Sequence, residues 1–203
     1  MRKYLTQKTE TESAFKVRVG TLAEQYRAAC EDARTYNDKL KKSKIKAAGE
    51  AYTTALNSAR NLAVSMAETM FEEAREELTT VLTKSPTPAQ SSYLQALAVL
   101  SEPTPDDIAK AILVAKDNAI AEQVVAEVAK KINADIAYVP GPIDLRATLD
   151  GLDAFEQRRI DAINRYGELD AMGDLGNWND ICFIPSASCS ALDALDEAIE
   201  RYA

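Results

Sequence analysis

Between Glu12 and Lys84 the chain contains no proline and only two glycines, Gly20 and Gly49. Apolar or small residues recur through this stretch at steps of three and four: Phe15, Val19, Leu22, Tyr26, Ala29, Ala33, Tyr36, Leu40. After a disturbed patch the pattern resumes at Ala48, Tyr52, Ala55, Ala59, Leu62, Met66, Met70, Ala74, Leu78 and Val81. Such spacing gathers the apolar side chains on one helical face, which needs another helix to cover it. One unbroken helix over this stretch would be roughly 105 Å long at 1.5 Å per residue.

The middle is its weak point. Lys39-Leu40-Lys41-Lys42-Ser43-Lys44-Ile45-Lys46 loads five lysines into eight residues, and Ala47-Ala48-Gly49 follows. Lysines ahead of a glycine mark a helix C-terminus. Two forms follow: a single long helix running through Gly49, or a reversal within 36–49 that gives an antiparallel hairpin. Continuity is the favoured expectation. No Pro, Asn-Gly or Asp-Gly marks a turn, Glu50 is a poor N-cap, and a helical glycine costs only about 1 kcal/mol. At the front, residues 1–11 read as a polar lead-in, with Thr9 as N-cap and Glu12 at N3.

Ser85-Pro86-Thr87-Pro88 ends the long stretch. Thr87 then caps a second helix, with Pro88 at N1 and Gln90 at N3. Thr104-Pro105-Asp106-Asp107 repeats that start, and Asp117-Asn118 breaks or caps before a third apolar run ending near Ile132. A trio of short helices over about 88–137 is predicted. Val139-Pro140-Gly141-Pro142 is a rigid loop. A helix from about Ile143 to Tyr166 follows, with Gly167 as its C-cap. Residues 168–187 read as irregular, and Ser188 or Ser190 opens a last helix. The expected architecture is all-α: an extended coiled-coil region over 1–84, a small helical bundle over 88–137, and a helical region over 143–203. No partnered strand is visible.

Composition agrees with helix packing. The chain of 203 residues is 46% apolar but only 6% aromatic, and much of the apolar content is alanine. Its formal charge is −8, unevenly spread. Residues 1–60 hold 13 Lys/Arg against 7 Asp/Glu, and residues 61–203 hold 11 against 25. Those ratios give +6 and −14, which suits pairing between the halves, within one molecule or between copies. An acidic chain disfavours nucleic acid as partner. The lysine patch Lys39, Lys41, Lys42, Lys44, Lys46 lacks the interleaved aromatics of a nucleic-acid site. It reads as a solvated or protein-pairing face. Glu72, Glu73, Glu76 and Glu77, with Glu68, form an acidic face. Antiparallel pairing of two copies would dock that face on the lysines.

Catalytic chemistry finds little support. The absence of histidine removes Ser-His-Asp and Cys-His catalysis and histidine zinc sites. No phosphate-cradling glycine motif is present. Cys30, Cys182 and Cys189 match no redox or zinc spacing and read as reduced thiols. Asp106/Asp107 suit a helix start, and Asp150/Asp153 a polar helix face. An EF-hand frame begun at Asp170 puts Met172 and Leu175 where an oxygen ligand and a glycine are needed, so it fails. No cofactor is expected. Trp178, the sole tryptophan, reads as a loop plug or an interface anchor. The N-terminal segment lacks a signal-peptide core, and no run is long enough to span a membrane. A cytoplasmic or virion location is therefore expected.

The coiled-coil stretch, the segment Leu100-Ser-Glu-Pro-Thr-Pro-Asp-Asp-Ile108 and Lys116-Asp-Asn118 together resemble uncharacterised structural-module proteins of tailed bacteriophages. The resemblance implies a virion or capsid-assembly role and carries over no functional residue. The expected function is non-enzymatic scaffolding through helix-mediated homo-oligomerisation. The alternative is an acidic helical inhibitor or adaptor that occupies a basic surface on a nuclease or other nucleic-acid-binding protein.

Overall fold

The computed structural model describes residues 3–131, 145–169, 175 and 186–202. Seven helices run through them: α1 (Lys3–Ala33), α2 (Asp38–Leu82), α3 (Pro88–Ala98), α4 (Pro105–Ala115), α5 (Ala119–Lys131), α6 (Leu145–Arg165) and α7 (Ser186–Tyr202). The fold is all-α. Among the described residues the only β pairing is an isolated bridge between Leu169 and Leu175. The chain forms two compact units, one of Arg2–Glu72 with Leu152–Leu192 and one of Glu73–Gly151 with Asp193–Ala203. The divisions fall inside α2, α6 and α7, so each of these helices contributes to both.

In the first unit the long stretch is two helices, not one. It breaks at residues 34–37, ahead of the lysines. The N–H groups of Arg34, Thr35 and Tyr36 donate to the carbonyls of Glu31, Asp32 and Ala33, three residues back, which tightens the end of α1. Asn37 then caps α2: its Oδ1 accepts from the Leu40 N–H at 3.1 Å. An Asn N-cap contributes about 1 kcal/mol, and this one makes the reversal without a glycine or proline. Gly49 stays helical inside α2, where a Cβ would meet only Tyr26 at 4.0 Å.

The reversal is a hairpin. Tyr26 stacks on Tyr52 with ring centroids 5.5 Å apart. Nearer the turn, Lys44 pairs with Asp32 at 3.3 Å. The hairpin, together with the end of α6 described below, buries much of the seam, including Phe15, Val19, Leu22, Tyr52 and Leu56. The front of α1 also differs from expectation. The helix begins at least six residues before Thr9, because Tyr4 is fully buried and draws the first turns into the core. Thr9 is an interior residue whose hydroxyl donates to the Leu5 carbonyl at 2.8 Å.

The third helix of this unit is α6. Phe155 meets Phe71 edge-on at 5.7 Å, and Tyr166 meets Phe15 at 5.9 Å. Arg159, 4% exposed, forms a buried ion pair with Glu12. As expected, Gly167 ends α6 with a φ of 94°. Two α2 side chains satisfy the carbonyls left open there. The Tyr52 hydroxyl donates to the Gly167 oxygen at 2.6 Å, and Arg60 donates twice to the Tyr166 oxygen at 2.8 and 3.1 Å.

In the second unit, both Thr-Pro starts form capping boxes, Thr87 with Gln90 and Thr104 with Asp107. Leu94, Leu97, Ile108, Ala111, Val125 and Val128 form the core of the α3–α5 trio. Asn118 caps α5 through the Ala121 N–H at 2.9 Å, and its amide donates to the Lys84 carbonyl at 2.9 Å. Asp117 supplies the left-handed turn before it, with a φ of 67°. Glu122 on α5 is buried and accepts from Arg201 and from the Tyr202 hydroxyl of α7, both at 2.6 Å.

Candidate interaction surface

α2 carries two apolar stripes rather than one. The first, Tyr52, Leu56, Ala63, Ala67, Met70 and Phe71, is buried. The second, Ala55, Ala59, Leu62 and Met66, is the stripe that the sequence spacing had placed in the seam. Its large members lie open, with Leu62 64% and Met66 47% exposed. The two stripes are offset by one residue, a 100° rotation about the helix axis, so a partner covering one leaves the other uncovered. Leu56 rather than Ala55 is buried because it packs at the end of α6, where its Cδ1 lies against Gly167.

The second stripe borders a groove of about 600 Å³ between α1 and α2. Thr11, Ala14, Phe15 and Arg18 line it from α1, and Ala55, Ser58, Ala59, Leu62, Ala63 and Met66 from α2. Alanines keep the floor low, and Leu62 and Met66 stand beside it. Among the described lining residues Arg18 is the only charged side chain, so the groove offers an apolar surface with a cation at its edge. This chemistry suits a helix more than a polar small molecule.

The lysine patch is less free than its sequence suggests. Lys39, Lys42 and Lys46 are exposed, while Lys41 and Lys44 are half-buried. Lys44 sits 3.8 Å from the centroid of the Tyr36 ring and pairs with Asp32. Tyr36 first, then Asp32, holds its ammonium above the ordinary lysine value. Lys46 pairs with Glu50 at 3.8 Å. Glu72, Glu73 and Glu76 are exposed and Glu77 half-buried. The lysines lie towards the start of α2 and these glutamates towards its end, so the helix itself does not bring them together. Trp178 lies outside the described residues.

Two acids meet partners inside the fold: Glu122 accepts from Arg201 and Tyr202, and Glu12 pairs with Arg159. Burial first, then the hydrogen bond to Glu122, pushes the Tyr202 phenol well above its usual range. Asp107 is held below the ordinary carboxylate value by the Thr104 hydroxyl, as a first-turn cap. Asp106 pairs with Lys110 at 2.6 Å. Among the described residues no group of three or more Cys, Asp or Glu side chains is placed to hold a metal ion. No described helix is long and apolar enough to cross a membrane.

Sequence reasoning missed the second stripe as a separate surface and the Glu122–Arg201–Tyr202 cluster. The first signal was present, as two interleaved three-four patterns between Tyr52 and Phe71. The second joins residues 79 and 80 positions apart and has no local signature. Comparison with family models, curated proteins and solved structures finds no match to this chain.

Proposed function

We propose that this is a non-enzymatic assembly protein that works by docking helices on helices, in a scaffold of the kind its phage-like sequence features imply. The carrying observation is the open stripe of α2: Leu62 and Met66 stand exposed beside an apolar groove. Large apolar side chains grouped at such a groove mark an association surface. Because the hairpin already covers the main seam, this surface replaces the rod-like coiled coil as the means of association. The test is sedimentation velocity over a wide concentration range, with Leu62→Glu alongside. The expected result is concentration-dependent association of the native protein, lost in the variant while helicity is unchanged. A native protein that stays monomeric throughout refutes the reading.

A second reading, an acidic adaptor for a basic protein surface, is favoured by the exposure of Glu68, Glu72, Glu73 and Glu76. Its test is binding to polylysine across a salt series, with those four residues changed to Gln. Undiminished binding by the variant counts against it.

A further inference from the structure

We propose that the tip of the α1–α2 hairpin docks on an anionic lipid surface, resting on it through the turn rather than crossing it. The proposal is independent of the assembly reading above. It begins from what the fold does not need. Between Glu24 and Ala51 only Ala33 is buried, and from Arg34 to Ala51 no side chain is. The turn thus lies beyond the packed part of the hairpin, and its sequence answers to solvent or to a partner. From Arg34 to Lys46 the chain carries Arg34 and five lysines against Asp38 alone. Arg34, Lys39 and Lys42 are exposed and Lys41 is half-buried, and among the described residues none of these four side chains has an ion-pair or hydrogen-bond partner. Tyr36, 38% exposed, and Leu40, 43% exposed, stand between them. Of the acids just before the turn, Glu31 is exposed and Asp32 is taken by Lys44.

Helix formation does not explain these cations. α2 begins at Asp38, and lysines in its first turns face the positive end of the helix dipole, where positive charge is disfavoured. Basic residues clustered around an exposed tyrosine and leucine match a bilayer surface. The lysines meet anionic headgroups, and Tyr36 and Leu40 reach the apolar boundary beneath them. Nucleic acid fits less well. Base stacking needs an open aromatic face, and Lys44 lies over one face of Tyr36, 3.8 Å from its centroid. The negative charge of the whole chain does not oppose the contact. The exposed glutamate run of α2 starts at Glu68, about 44 Å along the helix from Lys39 and several times the Debye length of about 8 Å.

The test is co-sedimentation of the full chain with phosphatidylcholine vesicles, with and without about 30% phosphatidylserine, at low and at physiological salt. Binding is expected to the anionic vesicles only, and more weakly at physiological salt. Arg34→Gln/Lys39→Gln/Lys42→Gln should lower partitioning by on the order of 100-fold, because each basic residue at such a surface contributes about fivefold. Lys116→Gln/Lys130→Gln/Lys131→Gln, which removes three exposed cations elsewhere, should change it by less than about threefold. An equal loss in that variant overturns the proposal. Tyr36→Ser/Leu40→Ser should lower partitioning by about tenfold with an unchanged salt dependence. All five altered tip positions are exposed, and circular dichroism checks that helicity is kept. No binding to the anionic vesicles at low salt overturns the proposal. Binding left intact by Tyr36→Ser/Leu40→Ser overturns it too; if duplex DNA then binds with the same sensitivity to the tip cations, the partner is nucleic acid.

Discussion

Replacing Gly167 with Ala tests the junction on which the first unit is built. Two independent features require glycine there. Its φ of 94° lies in a region that costs an L-residue about 1–2 kcal/mol. A Cβ would also stand 2.5 Å from Leu56 Cδ1 and 3.1 Å from Val19 Cγ1. Relieving that overlap means moving a leucine that is 5% exposed, at about 1–3 kcal/mol. Together the two give a loss of about 2–5 kcal/mol, a large part of the 5–15 kcal/mol of a typical domain. Urea unfolding followed by circular dichroism reads it as a lowered midpoint at unchanged slope. The two causes separate in a double-mutant cycle with Leu56→Ala. The overlap is relieved when Leu56 is shortened and the backbone cost is not, so the cycle should show a favourable coupling of about 1–3 kcal/mol. Strict additivity would remove the steric half of the argument, and a Gly167→Ala loss below about 0.5 kcal/mol would remove both halves.

The same unfolding assay reaches other contacts. Asn118→Ala removes the α5 cap and the bond to the Lys84 carbonyl, and should cost about 1–3 kcal/mol. Thr87→Ala and Thr104→Ala should each cost about 1 kcal/mol, and their effects should add because they cap different helices. The folded state holds the Tyr202 proton above the pH at which the unfolded chain releases it. Its stabilising contribution is therefore full below about pH 10 and falls as pH rises further. Urea midpoints between about pH 8 and 11 should fall more steeply in the native protein than in Tyr202→Phe.

Local chemistry was legible in the sequence, and partner choice was not. Thr87 and Thr104 cap as their spacing requires, because a capping box involves only four consecutive residues. Gly167 ends α6 for the same reason. The reversal, one of the two forms the sequence allowed, was ranked below continuity and lies at 34–37 at the edge of the expected 36–49, because its cap, Asn37, stands beside a helix-favouring sequence with neither Gly nor Pro. The lysines behind it looked like a helix end but open α2 instead. Thr9 had the right spacing for a cap, and burial of Tyr4 outweighed it. Local signals of about 1 kcal/mol yield to burial of a whole aromatic side chain, worth about 2–3 kcal/mol. On α2 the spacing identified apolar positions correctly but merged the open Ala55, Ala59, Leu62, Met66 stripe and the buried Tyr52, Met70 stripe into one seam. A period of three and four reports that a face is apolar, not which helix covers it.

The hairpin also sets how strongly copies can associate. A continuous helix would have offered its whole seam to a partner. The folded hairpin leaves the second stripe of α2 open, and its large members are Leu62, 64% exposed, and Met66, 47% exposed. Complete burial of such a side chain contributes about 1.5–3 kcal/mol, so the fractions still open are worth about 1–2 kcal/mol for Leu62 and about 1 kcal/mol for Met66. Two copies bring about 4–6 kcal/mol. Because association also costs translational and rotational freedom, that figure is a ceiling, and dissociation constants are no tighter than tens of micromolar. Weak pairwise contacts of this kind serve assemblies in which many copies are held close together, where effective concentration replaces affinity. Sedimentation from about 10 μM to 1 mM should therefore show at most a gradual shift rather than a stable dimer at the lowest concentration. A nanomolar dimer indifferent to Leu62→Glu would refute this account, because about 12 kcal/mol of association exceeds what the open stripe can supply.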